Sequence, residues 1–265
     1  MAPRQTIFEP VGHESVVDEV VAQIEDLIVA GVLRQGTKLP SERILSEEMN
    51  VSRPKLRQAL KRLEDQNLLQ VRHGGGTYVA QLMGDAMSPA LLDLYARHDT
   101  AFFDYLEYRR EQESFAAFWA AQRATDADRD ILTAFLERMG EAHAAGDSRA
   151  AQEADIGFHS AIVDASHNST LIHMMASIYE LTRRGVFYNR DHLRAIDETG
   201  DQLLAQHHEI GRAILDSQPE AAARAARAHL DLVEAAFRHG EEKRRRQAIA
   251  DKRRLFTASR PQAGH

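Results

Sequence analysis

"KLPSERILSEEMNVSRPKLRQALKRLEDQNLLQVRHGGGTYV", residues 38–79, decides the fold of the first third of this 265-residue chain. "SERILSEEM" predicts a short helix over about 41–49, and "NVS" a turn. Ser52 then serves as N-cap of a further helix, with Pro54 in its first turn, where a missing N–H breaks no helical hydrogen bond. On that helix Leu56, Ala59, Leu60 and Leu63 share one arc, while Arg53, Lys55, Arg57, Lys61 and Arg62 take the rest of the circumference. "LLQVRHGGGTYVAQL" predicts two short strands around a glycine-rich turn. Upstream, Val17, Val20, Val21, Ile24, Leu27 and Ile28 recur in steps of three and four, the mark of an amphipathic helix ending near Gly31. Taken singly, a basic arc is a solvated helix face and Gly-Gly-Gly a plain hairpin turn. Their order and spacing after two helices instead describe a winged helix-turn-helix.

This segment resembles the DNA-binding domain of GntR-family transcription regulators, whose pattern runs close to LPSER, VSR, LREAL and a G-G-G-T wing. The resemblance covers nearly all of residues 15–80. It implies DNA contacts by Arg43 in the second helix, Arg53 and Arg57 at the start of the third, and His73 with Gly75 in the wing. Lys55 is included as a contact although the family often has a small hydroxyl residue there. Arginine suits either a guanine edge, bidentately, or a phosphate.

The rest of the chain has a different character. Formal charge is −1 over residues 1–80, −11 over 81–240 and +5 over 241–265, so an acidic middle is flanked by the candidate DNA segment and a basic end. Cysteine is absent, which excludes disulfides and thiolate metal sites but leaves His, Asp and Glu as ligands. No apolar run has the length of a membrane span, and the expectation is a cytoplasmic protein. The reading divides the chain into a winged helix-turn-helix at 10–80, a linker at 81–88 carrying Gly, Ser and Pro, an all-helical domain at 89–240 and a basic tail at 241–265. Candidate helices are 89–97, 100–123, 126–145, 147–166, 169–189, 199–217 and 219–240, separated by "ATDAD", "AAGDS", "SHNST" and "DSQPE". The fold class is therefore mainly α, a winged helix-turn-helix followed by an antiparallel helical bundle.

The histidines sort by helix face. His159 follows Asp155 by four residues on a face shared with Ile156, Ile162 and Val163. His207 lies in the stripe of Leu203, Ile210 and Ile214, and His229 in that of Ala222, Ala226, Leu232, Val233 and Ala236. Each alone reads as a satisfied core histidine; together they form a constellation suited to a divalent metal in a bundle core. His208 faces the other side of its helix, and His143, His167, His173 and His239 lack such company.

This half resembles the FCD effector domain of the FadR-like branch of the same family, through "DIGFH", "QHHEI" and "RAHL". Within that branch the chain is most similar to pyruvate dehydrogenase complex repressors and lactate-responsive regulators. The resemblance implies Asp155, His159, His207 and His229 as ligands of a divalent ion, zinc first, with nickel or manganese as alternatives. It also places Arg109, in "LEYRRE", where family members put an arginine reaching the effector; the other reading of Arg109 is a helix-surface salt bridge with Glu113.

The expected function is a homodimeric repressor, not an enzyme, that binds a palindromic operator in double-stranded DNA under the control of a small organic acid such as pyruvate, lactate or glycolate. Two other classes share these features. A helical metal-dependent hydrolase would need a general base beside the metal, and no H-E-x-x-H pattern provides one. A sequence-indifferent DNA binder would recruit the tail "EEKRRRQAIADKRR", which otherwise reads as a frayed, solvated helix.

Overall fold

The computed structural model describes residues 16–72, 75–82, 88–95, 98–183 and 199–258. The chain divides into two compact units, 1–84 and 85–265. No described helix is long and apolar enough to cross a membrane.

In the first unit, α1 (Val16–Val29) and α3 (Arg53–Asp65) pack against each other, with α2 (Glu42–Glu48) set against α3. Val17, Val20, Val21, Ile24 and Ile28 of α1 meet Leu56, Ala59, Leu60 and Leu63 of α3 in one apolar core. Leu27, assigned to the same arc by its spacing, is 36% exposed, because at 100° per residue it falls at the edge of that arc. Ser41 caps α2, its Oγ accepting from the Ile44 N–H at 3.4 Å. Ser52 does occupy the N-cap of α3 with extended backbone, but its side chain makes no capping hydrogen bond. Asn50 and Asn67, at φ 50° and 59°, turn the chain after α2 and α3 in the left-handed conformation that asparagine tolerates.

The wing is an antiparallel pair, β1 (Leu69–Arg72) and β2 (Gly76–Val79), in register Leu69 to Val79 and Arg72 to Gly76. Gly76 opens β2 at φ +102°, which only glycine adopts without strain. Residues 36–39 line the other side of β2 through Leu39 N–H to Thr77 O and Val79 N–H to Thr37 O, both 2.9 Å. Leu69, Val79 and Leu39 close the core, so the wing is anchored to the helices.

The second unit holds seven helices among the described residues: α4 (Pro89–Tyr95), α5 (Asp99–Arg123), α6 (Asp126–Ala145), α7 (Ser148–Ala165), α8 (Ser169–Arg183), α9 (Gly200–Leu215) and α10 (Pro219–Ala258). The turns before α6, α7, α8 and α10 fall at the four punctuators read from sequence. Thr125 and Asp128 form a reciprocal capping box at the start of α6, and Gly146 ends that helix at φ +66°. Asp147 caps α7 by accepting from the N–H groups of Arg149 and Ala150. Helix α5 runs through the middle, packed on α7, α9 and α10. Its Ala116, Ala117, Ala120 and Ala121 are fully buried, and such small side chains let neighbouring helices approach closely.

One expected helix end differs, and one lies outside the described residues. Helix α10 does not stop at 240 but continues to Ala258, because 241–258 contains neither Gly nor Pro and carries i,i+4 support from Glu242–Arg246 and Gln247–Asp251. Helix α8 is described to Arg183; the residues expected to extend it, 184–189, lie outside the described residues, as do most of the linker, 83–87, and the last residues, 259–265.

Leu56 has no exposed surface and sits where α1, α3 and the wing meet. Leu56→Ala is expected to destabilise the first unit by about 2–5 kcal/mol, read as a lowered urea midpoint for that unit, while the transition of the helical unit stays where it is.

Candidate metal centre and nucleic-acid face

Asp155 and His159 stand one turn apart on α7, and His207 on α9 and His229 on α10 face them. One donor atom from each of the four lies within 4.8 Å of all the others. His207 Nε2 is 3.0 Å from Asp155 Oδ1 and 3.2 Å from His159 Nε2, and His159 Nε2 is 3.7 Å from the same carboxylate oxygen. The three imidazoles are almost completely buried, whereas the Asp155 side chain keeps 37% of its surface exposed. Asp155 therefore marks the open side of the cluster.

A second layer of polar groups comes from α5 and α8. Glu113 Oε2 is 2.9 Å from His159 Nδ1, close as an ion pair though not aligned as a hydrogen bond, and Glu113 Oε1 accepts from Arg109 Nε at 2.7 Å. Both side chains are buried, so the Arg109–Glu113 bridge exists but is not the surface pair its i,i+4 spacing suggests. The Arg109 guanidinium lies 5.7 Å from the ring centres of both Tyr105 and Tyr179. Tyr105 and Thr182 hydrogen-bond through their hydroxyls, and the Tyr179 hydroxyl donates to the His159 carbonyl at 3.5 Å. Arg110 belongs to the surface, paired with Asp231 at 3.1 Å.

These neighbours set the protonation states. Burial acts to raise the Glu113 carboxyl, but the charges of Arg109 and His159 bring it down to about 2. Burial would likewise raise Asp155, and the hydrogen bond to His207 with the charge of His159 holds it below the ordinary range. Burial pushes His229 well below its usual value, reinforced by the charges of His207 and His159, and lowers His207 against the opposing pull of Asp155. His159 moves the other way, since the Glu113 carboxylate outweighs its burial.

A donor set of three imidazoles and one carboxylate, two of the imidazoles held neutral, suits a divalent transition ion. One donor atom from each of the four side chains converges within 4.8 Å, with the Nε2 atoms of His159 and His207 only 3.2 Å apart, which is the spacing a shared ion needs. The residues present thus fit a metal ion. Of the other described histidines, His98, His208 and His239 are exposed, His173 is half-buried, His143 pairs with Asp201 at 2.7 Å, and His167 pairs with Asp128 at 2.9 Å.

On the first unit, Arg53, Lys55, Arg57, Lys61 and Arg62 are all exposed along α3, opposite its buried stripe. Arg57 pairs with Glu42 at 2.6 Å, Lys61 with Glu64 and Asp65, and Arg62 with Asp18. Arg43 pairs with Glu47 at 3.0 Å. Among the described residues Arg53 and Lys55 carry no ion pair. Exposed pairs of this kind are worth about 0–1 kcal/mol, so each is readily exchanged for a phosphate. Gly75 lies in the wing turn, its N–H donating to the Arg72 carbonyl at 2.8 Å; His73 lies outside the described residues. Sequence reasoning passed over Arg72, which stacks on Tyr78 at 4.3 Å and is exposed at the end of β1. It read Glu113 only as a surface partner of Arg109, and it passed over Tyr105 and Tyr179. Tyr105, Arg109, Glu113, Ala116 and Ala120 form one stripe of α5, and a charged pair inside an alanine stripe was the available signal.

The comparisons with known proteins agree with this geometry. Residues 16–79 match the family described as "Bacterial regulatory proteins, gntR family", and residues 104–232 match the FCD domain. The chain is 33% identical over 236 residues to the "Putative L-lactate dehydrogenase operon regulatory protein" of Escherichia coli strain K12, covering 87% of this chain and 90% of that one. It is 34% identical over 219 residues to the "Glc operon transcriptional activator" of the same organism, covering 81% and 86% of the two chains. With the "HTH-type transcriptional regulator LutR" of Bacillus subtilis strain 168 it shares 32% identity over 209 residues, covering 78% and 94%. The chain belongs to the gntR family of bacterial regulatory proteins and is a DNA-binding transcriptional regulator with an FCD domain.

Proposed function

We propose that this regulator is a metabolite-controlled repressor, a homodimer that holds a palindromic operator through its first unit and releases it when a small carboxylate binds in the second. The observation that carries the reading is the convergence of Asp155, His159, His207 and His229 from three helices, with the buried guanidinium of Arg109 beside them. These four residues would hold a divalent ion, zinc in our assignment, with nickel and manganese as the alternatives that elemental analysis separates. The bound ion supplies a positive, Lewis-acidic centre for a carboxylate oxygen. Arg109 offers that carboxylate a charge-assisted hydrogen bond, and Glu113 keeps the guanidinium from swinging to solvent. The open side at Asp155 is the entry route.

The effector we assign is a small hydroxy or keto acid, of the class of lactate, glycolate and pyruvate; a relative named for an L-lactate dehydrogenase operon supports that choice. Repression is the sign we assign, because a dimer seated on an operator obstructs transcription and ligand release restores it. One relative is named an activator, and transcription in vitro from the selected operator with and without acid decides the sign. A cytoplasmic protein acting on chromosomal DNA fits the family and the absence of a described helix able to cross a membrane.

On the DNA side, Arg53, Lys55 and Arg57 of α3 would read the major groove, with Arg43 and the wing around His73 and Gly75 contacting the flanking backbone. Arg53→Ala and Arg57→Ala are each expected to weaken operator binding, by about 1–3 kcal/mol where a base contact is lost, or with a salt slope smaller by about one where a phosphate contact is lost. Fluorescence anisotropy over a salt series distinguishes the two, and circular dichroism should show an unchanged fold. Unaltered affinity in both variants would remove α3 from the interface.

On the metal side, His207→Ala should lower metal content and abolish the response to the acid, while operator binding without ligand persists. A ligand that binds only the folded state raises its melting temperature, by about 2.7 kcal/mol of stability at a hundredfold excess over Kd. Chelation should therefore lower the melting temperature of the parent protein and leave that of His207→Ala nearly unmoved. Full metal occupancy in the variant, with DNA still released by acid, would return these histidines to the status of core residues.

A further inference from the structure

Among the described residues, Arg109 and Glu113 are the only buried Lys, Arg, Asp or Glu side chains, and both lie at the cluster of histidines. Asp155 is the third charged group there. Histidine ligands add no charge of their own to a metal complex. Among the described residues, two carboxylates against one guanidinium give the centre a single negative charge, which a divalent ion would reverse to a single positive one. Exactly one monoanion then restores neutrality, a condition that matters because unmatched charge is expensive in a low-dielectric interior.

We infer that Glu113 restricts the effector of this site to monoanionic carboxylates; the inference rests on the metal-and-carboxylate reading above. Glu113 is 3% exposed, accepts from Arg109 Nε at 2.7 Å and lies 2.9 Å from His159 Nδ1, so burial keeps it from turning to water to relieve a second anion. Its carboxylate already engages Arg109, which leaves that cation without a full charge to give to a dianion. A second carboxylate on the ligand would sit near Glu113 and Asp155 with no opposing charge among the described residues. Glu113 is thus a specificity residue that acts through charge, without itself needing to touch the ligand.

The test compares acids of equal size that differ by one charge. Isothermal titration of the full-length, metal-loaded protein at neutral pH first uses lactate, glycolate and pyruvate, which report whether a carboxylate binds at all. Malonate is then compared with its monoamide, malonamate, and succinate with succinamate. Each monoamide should bind about tenfold or more tightly than its diacid in the parent, and Glu113→Gln should bring the pair to equality or reverse it. Diacids that bind the parent as well as or better than their monoamides, while any of the three monoacids binds, overturn the inference and leave the proposed function standing. Failure of all three monoacids on protein carrying one ion per chain overturns the carboxylate reading together with the inference. The parent comparison decides the matter even if Glu113→Gln does not fold.

Discussion

The buried contact between Arg109 and Glu113 is the constraint around which the helical unit is arranged. Taking two full charges out of water costs several kcal/mol each, and their mutual attraction offsets this only when geometry is good and further hydrogen bonds are made. Here the pair is one turn apart on α5, the second carboxylate oxygen reaches His159 on α7, and the guanidinium is flanked by the rings of Tyr105 and Tyr179. Removing one partner of such a pair typically costs about 3–5 kcal/mol because the other is left uncompensated. The arrangement thus fixes the position of α5 against α7 and α8 at the level of side-chain contacts as well as packing.

From that contact outward, each layer depends on the last. Glu113 lies 2.9 Å from His159 Nδ1 as an ion pair, on the side of the ring opposite the Nε2 that faces Asp155 and His207. Burial keeps His207 and His229 neutral, so their lone pairs are available, and the aspartate remains ionised on the solvent side. Four donor atoms that converge within 4.8 Å make a polar centre that an ion would bridge. Bundle cores tolerate such groups where an ion completes them. The first unit needs no comparable device, since its core is apolar throughout and its charges lie on the surface of α3.

Much of this was legible in the sequence, for reasons that differ by segment. The winged helix-turn-helix could be read because its turns demand particular residues in a fixed order and its third helix divides sharply into buried Leu and Ala against exposed Arg and Lys. The four candidate ligands could be assigned to inward faces because helical periodicity puts Asp155 beside His159 and aligns His207 and His229 with apolar neighbours. Burial of Arg109 and Glu113 could not be read the same way. In isolation an Arg and a Glu four apart describe a surface pair, and only the packing of α7 and α10 over that stripe of α5 makes it an interior one. The length of α10 was missed for the opposite reason: residues beyond 240 touch little, and local helix-forming composition alone carries the helix to Ala258.

The measurement that bears most directly on the function is a four-way comparison of operator affinity, with and without metal and with and without lactate, by fluorescence anisotropy at one fixed salt concentration. Linkage requires the acid and the ion to act together. If the cluster is the control site, lactate weakens operator binding only in the metal-loaded protein, and the metal-stripped protein binds DNA equally well in its presence and absence. Release of the operator by lactate to the same extent after complete chelation would contradict the assignment of Asp155, His159, His207 and His229 as the centre through which the effector acts.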